Sequence, residues 1–297
     1  MNRARNGEAG WPVQQFLQEL YRRFAGVDAG QVADYIPELA KADPRWFGIA
    51  IATIDGHVYE VGDSRQPFTI QSISKPLVYG VALEDQGRER VMEHIGVEPT
   101  GDAFNSISLE PGTGRPLNPM INAGAIAAAS LVGGVTPDDR LARVLGGISA
   151  YAGRELAIDE RVFESERDTG HRNRAIGHML RNYGILRDDP DDALELYFKQ
   201  CSILADCRDL ALIAATLANG GVHPATGRRA LSPAYVELVL SVMTTCGVYD
   251  FAGEWVWRVG MAAKSGVGGG IMAVLPGQLG VGVFSPLLDA RGNSVRG

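Results

Sequence analysis

The sequence predicts an α/β chain of the α+β type, with strands at both ends joined in one mixed sheet and a block of helices between them forming a second lobe. Three observations carry this. A tight-turn signal, Asp55-Gly56, separates the apolar run 46–53 from 57–61, which reads as a β-hairpin. Apolar residues at helical spacing then recur from Ser74 to Thr245. Short apolar runs return at 257–264, 270–274 and 279–284, with Pro276-Gly277 turning the chain between the last two. A length of 297 residues with 45% hydrophobic content suits one large domain or two joined lobes with a sizeable core.

Val13, Phe16, Leu17, Leu20 and Tyr21 place one apolar face on a first helix over 11–25. After the hairpin, helices are predicted over 74–86, 123–131, 137–152, 171–183, 191–200, 208–219 and 233–245. Pro137 and Pro233 suit first-turn positions, and Asn219-Gly220-Gly221 is a stop signal. The acidic run 188–192 reads as a solvated loop entering a helix N-terminus, where carboxylates suit the dipole. With no internal repeat and no low-complexity linker, the chain is expected to be one domain over 1–297. Its sheet lobe would cover about 1–75 and 250–297, and its helical lobe about 76–249.

Composition narrows the function. The net charge of −7 argues against a nucleic-acid partner, which needs a basic patch. Residues 1–10 are polar, with no apolar core of a signal peptide. Cys201, Cys207 and Cys246 give an odd, widely spaced set, read as buried reduced thiols of a cytoplasmic protein. The uncharged stretches 116–137 and 265–288 are too polar or too glycine-rich to span a membrane. Of five histidines, only His171 and His178 share a helix face, too far apart for one metal. No phosphate-cradling glycine pattern is present. Neither a metal nor a cofactor is therefore expected. The oddity is 37 glycines, about one residue in eight.

The chemistry starts at Ser72-Ile73-Ser74-Lys75. Serine is a weak nucleophile without an adjacent base, and residues three apart at a helix start share a face, so Lys75 can reach Ser72. Burial would favour the neutral amine. The second element is Lys264-Ser265-Gly266, at the end of an apolar strand and followed by Val267 and three glycines. Ser-x-x-Lys on a helix plus Lys-Ser-Gly on a late strand is the signature pair of penicillin-recognising serine enzymes. The glycines let substrate lie against the strand edge and leave backbone N–H groups for an oxyanion. Their Ser-Asp-Asn element is missing, and a tyrosine could replace its proton-carrying hydroxyl.

Segments along nearly the whole chain are similar to the serine-dependent glutaminase family. They begin at Phe68 (Phe-Thr-Ile-Gln-Ser72-Ile-Ser-Lys75), Asn118 (Asn-Pro-Met-Ile-Asn122), Ser165 (Ser-Glu166-Arg) and Asn173. They continue at Leu217 (Leu-Ala-Asn-Gly-Gly), Cys246 (Cys-Gly-Val-Tyr249) and Lys264 (Lys-Ser-Gly-Val267). The resemblance implies a β-lactamase/transpeptidase-like fold, an antiparallel sheet with flanking helices, and hydrolysis of L-glutamine to L-glutamate and ammonia without a cofactor. It also implies a homo-oligomer, tetramer or dimer. Ser72 matches the nucleophile, Lys75 its base, and Tyr249 a tyrosine that passes a proton. The N–H groups of Ser72 and Val267 match an oxyanion hole. Asn122, Glu166, Asn173 and Tyr197 match the side chains that hold glutamine, and Tyr35 matches one that closes over it. Glu166 is the natural partner of the substrate ammonium, and the asparagines of its carboxylate.

Two features depart from the family pattern. The chain lacks the ankyrin-type extension of the animal enzymes. It also ends at Gly297, where relatives run on into a helix, so apolar surface is expected on the sheet. The alternatives are a β-lactamase or D-Ala-D-Ala peptidase-like hydrolase, and a non-catalytic amino-acid-binding protein on the same scaffold.

Overall fold

The computed structural model describes residues 12–101 and 107–297. The reading of 1–10, and Trp11 as the opening of the first helix, lie outside the described residues. The chain runs α1 (Pro12–Phe24), β1 (Gly48–Thr53), β2 (Val58–Gly62), β3 (Phe68–Thr69), α2 (Ser74–Gln86), α3 (Arg88–His94), α4 (Asn122–Ser130), α5 (Pro137–Ala152) and α6 (Glu160–Thr169). It continues with α7 (His171–Asn182), α8 (Pro190–Cys201), β4 (Leu204–Ala205), α9 (Cys207–Ala218), α10 (Pro233–Cys246), α11 (Ala252–Val259), β5 (Ala262–Ser265), β6 (Gly270–Leu275) and β7 (Leu279–Phe284).

The sheet order is β2-β1-β7-β6-β5. Every neighbouring pair is antiparallel, including the seam between the two ends of the chain, where Gly48 faces Phe284. The mixed sheet expected from the element order is thereby corrected: three tight hairpins fix their own strands, and β7 meets β1 head to tail. A second correction concerns 257–264, read as strand throughout. Its first residues belong to α11, where Glu254 and Arg258 pair at 2.7 Å one turn apart. Gly260 then ends the helix at φ +71°, and β5 starts only at Ala262.

Local chemistry sets the helix ends. Thr136 and Asp139 form a reciprocal capping box at α5, as Asp206 and Asp209 do at α9. Pro137, Pro190 and Pro233 occupy first turns, where their missing N–H costs nothing. Within the acidic run, Asp189 caps α8 and Asp191 and Asp192 fill its first turn. The three cysteines are free and buried. No single helix among the described residues is long and apolar enough to cross a membrane.

The core lies between the sheet and the helices. α9 runs along β7, β1 and β6, and it packs closely because the facing strand positions lack side chains. A Cβ on Gly280 would lie 2.2 Å from the Ala215 nitrogen and 2.4 Å from the Ala211 oxygen. On the opposite face α1 seals part of the sheet through Leu17 and a Tyr21–Phe47 stack with centroids 5.2 Å apart. Val281 and Val283 are partly buried, packed against the clusters around Ala263 and Phe47.

Gly280→Ala is expected to destabilise the protein by about 2–3 kcal/mol, since helix backbone cannot shift as a side-chain tip can. Chemical unfolding measures this; an unchanged midpoint would contradict the close packing.

Candidate active site

Ser72 sits where strand gives way to helix. β3 pairs with β4, and the Ile70 N–H donates to the Ile203 carbonyl at 2.9 Å, anchoring the segment before it turns. Gln71 then takes a left-handed conformation at φ +50°, a cost of about 1 kcal/mol for a residue with a side chain. The short turn Gln71–Ile73 leads directly into α2. Ser74 Oγ donates to the Gln71 carbonyl at 2.7 Å, bracing the turn from inside. The strand-end glycines press against this segment from the sheet side. A Cβ on Gly266 would meet the Ile70 oxygen at 2.6 Å, and one on Gly268 the Thr69 oxygen at 2.4 Å. Only glycine permits that approach, and it sets Val267 beside Ser72.

Lys75 is fully buried on the first turn of α2. Its Nζ donates to the Asn122 Oδ1 at 2.6 Å and to the Met120 carbonyl at 3.2 Å. Both partners are neutral dipoles. Burial therefore dominates and brings the amine down to about 8, against a weaker pull from Cys201 and Glu166. Asn122 is oriented from both ends, since its Nδ2 donates to the Asn173 Oδ1 at 2.9 Å.

One cavity of about 1090 Å³ is lined by Tyr35, Ser72, Asn122, Glu166, Asn173, Tyr197, Tyr249 and Val267. The structure thus brings Ser72, Tyr249, Val267 and the five residues matched to glutamine binding into one lining, while Lys75 and the Lys264-Ser265-Gly266 element lie outside that lining. Glu166 projects from α6, whose start is capped by Asp159. Burial pushes its carboxyl up to about 7, opposed by a hydrogen bond from Gln71 and by Lys75. Tyr197 comes from α8 and is almost wholly buried. Tyr249 stands in a turn at φ +62°. Its hydroxyl donates to the Ser265 carbonyl at 3.3 Å and shares a hydrogen bond with Ser72. Burial raises this phenol to about 12, so it keeps its proton at neutral pH.

The mouth is built from both ends of the chain. Gln31 and Leu288 exchange backbone hydrogen bonds at 3.0 and 2.8 Å, and Tyr35 follows on the first of these segments, half exposed to the opening. The buried Arg296 reaches across to the carbonyls of Val27, Pro44 and Trp46. Asp250 and Arg291 face each other at 3.5 Å on the rim.

Sequence reasoning missed Gln71, whose contact with Glu166 has no signature beyond its position before Ser72. It also missed Cys201 in the lining, a thiol that burial keeps protonated beside Tyr197 and Ser74. The arrangement holds a buried amine of lowered pKa, a hydroxyl at a helix start, a protonated phenol, and a desolvated carboxyl group hydrogen-bonded by the Gln71 amide. That set suits acyl transfer on a small zwitterion.

The glutaminase family profile matches residues 30–297. A glutaminase of Microcystis aeruginosa is 55% identical over 97% of this chain and 85% of its own. Glutaminase 2 of Bradyrhizobium diazoefficiens is 58% identical over 96% of this chain and 46% of its own. Among solved structures, the probable glutaminase ybaS superposes with a TM-score of 0.93 at 45% identity, covering 96% of this chain and 93% of that one. Mglu in its glutamate form gives 0.93 at 46% identity, covering 97% and 66%. The fold is that of these glutaminases, β-lactamase-like with an antiparallel sheet, and on sequence and structure alike the chain belongs to the glutaminase family.

Proposed function

We propose that this protein hydrolyses L-glutamine to L-glutamate and ammonia through an ester on Ser72. The observation that carries the reading is the convergence on one cavity of Ser72, Tyr249 and Glu166, above a buried amine whose pKa is lowered to about 8. Family membership supplies the substrate, and the reading includes a cytoplasmic homo-oligomer, tetramer or dimer.

The roles follow from the chemistry of each group. A neutral Lys75 has two N–H groups for the Asn122 and Met120 oxygens and one lone pair left for the Ser72 proton. Ser72 Oγ attacks the side-chain amide carbon, and the backbone N–H groups of Ser72 and Val267 stabilise the oxyanion. The departing nitrogen takes the proton that Lys75 received from Ser72, directly or through Tyr249 with Lys75 re-protonating the phenol, and leaves as ammonia, so that Lys75 is neutral again. Water then adds to the γ-glutamyl ester with Lys75 again as base, regenerating Ser72. Glu166 pairs with the substrate ammonium. Asn122, Asn173 and Tyr197 position the amino-acid end, and Tyr35 closes the opening.

Ser72→Ala is expected to abolish ammonia release while leaving the unfolding transition in place; turnover in that variant would overturn the mechanism. The pH dependence has two limbs with a fixed sign. Lys75 must be neutral to act, so kcat/KM rises with pH through about 8. Glu166 must be ionised to hold the ammonium, so KM for glutamine climbs as pH falls below about 7. Glu166→Gln should raise KM by about 30-fold or more, the loss expected for one partner of a buried charge pair, and should remove the acid-side rise in KM. Initial-rate kinetics across pH reads all three.

A further inference from the structure

A second buried lysine stands next to the site and has no part in the scheme above. Lys264 lies on β5, fully enclosed. Its Nζ donates to two backbone carbonyls, those of Gly247 and Ser265, each at 2.7 Å. The same nitrogen lies 4.0 Å from the centre of the Tyr249 ring. Burial and the neighbouring Lys75 hold its pKa well below the usual lysine value. Two N–H groups satisfy two carbonyls in either protonation state.

All three contacts bear on Tyr249. Gly247 follows the last turn of α10 and precedes Tyr249 by two residues. The Ser265 oxygen is the one that also accepts from the Tyr249 hydroxyl. The ring itself is the third contact. Tyr249 needs such support, because an aromatic residue at φ +62° does not hold that conformation by its own preference. The turn is also packed hard against the strand: a Cβ on Gly247 would lie 1.7 Å from the Ala263 oxygen. Lys264 therefore bridges the turn that carries Tyr249 to the strand that ends beside Ser72.

We propose that Lys264 is a positioning residue for Tyr249, fixing the strained turn and the phenol so that the hydroxyl stays on Ser72. The proposal rests on the reading of Tyr249 as a proton carrier. Lys264 lies outside the cavity lining and acts through the tyrosine, so its loss should lower kcat and leave substrate binding largely intact.

The test is a double-mutant cycle of Lys264→Met and Tyr249→Phe, read by ammonia release from glutamine, with thermal unfolding of each protein. Tyr249→Phe is expected to cut kcat about 100-fold, the usual worth of a proton-transfer group. A fully active Tyr249→Phe would overturn the reading of Tyr249 itself. Lys264→Met is expected to cut kcat by a similar factor with KM changed less than about 3-fold, and to add almost nothing in the Tyr249→Phe background. Equal losses in both backgrounds, or a rise in KM with kcat intact, would overturn the positioning role. Should Lys264→Met fail to fold, the cycle is read with Lys264→Arg, whose longer planar cation cannot reproduce both 2.7 Å contacts. A kcat loss in Lys264→Arg that vanishes with Tyr249→Phe supports the proposal. Failure of both lysine variants to fold, beside a folded Tyr249→Phe, would assign Lys264 to stability alone and overturn it.

Discussion

Residues 69–71 and 266–268, almost two hundred positions apart, touch backbone to backbone, and the site depends on that contact. With Gly266 against the Ile70 oxygen and Gly268 against the Thr69 oxygen, the late strand closes on the nucleophile turn with no side chain between them. The antiparallel seam between β1 and β7 supports the contact from the sheet side, since it fixes where β6 and then β5 must lie. The small β3–β4 pair supports it from the helical side. A Cβ at either glycine would force backbone on one side of this contact to shift, and Ser72 and Val267 lie on its two sides.

Electrostatics then follow from what the buried amines are given as partners. Lys75 meets a carbonyl and a side-chain amide, and Lys264 two carbonyls. Dipoles satisfy N–H groups without supplying the full negative charge that would hold a proton on nitrogen, so desolvation decides the outcome. Replacing Asn122 by a carboxylate would reverse this, keeping Lys75 charged and useless as a base. The carboxylate that is present, Glu166, is itself lifted by burial and pulls only weakly on Lys75. Free amino acid arriving with its ammonium would meet a carboxyl poised to ionise.

The parts legible in the sequence are those where one local rule dominates. α2, α5 and α10 carry clear starts, and Asp55-Gly56 announces its hairpin. Ser72 and Lys75 stand out because Ser-x-x-Lys is followed by Lys264-Ser265-Gly266 on a late strand; the i to i+3 spacing alone is too common to mark a site. Glu166 was reached through resemblance, and the reason is physical. Its helix buries Val162, Phe163 and Glu166 together, so one position of the inward stripe is a charge and the apolar periodicity is lost. α11 failed differently. Trp255, Val256, Trp257 and Val259 favour strand when counted singly, yet the Glu254–Arg258 pair and Gly260 define a helix that leaves Trp257 82% exposed. Lys264 gave its motif but not its partners, because Gly247 and Tyr249 approach it only through the fold.

The mouth and the floor of the cavity are held by different forces. The floor is packed apolar core around α2, α4 and α8. The mouth has only the small cluster of Ala33, Val267, Leu288 and Leu39, joined by the Gln31–Leu288 exchange and the Arg296 guanidinium on the carbonyls of Val27, Pro44 and Trp46. Segments held in that way open at far lower free energy than a packed core. The entrance is therefore the part of the cavity expected to open first, while the backbone contact beneath Ser72 belongs to the part that opens last.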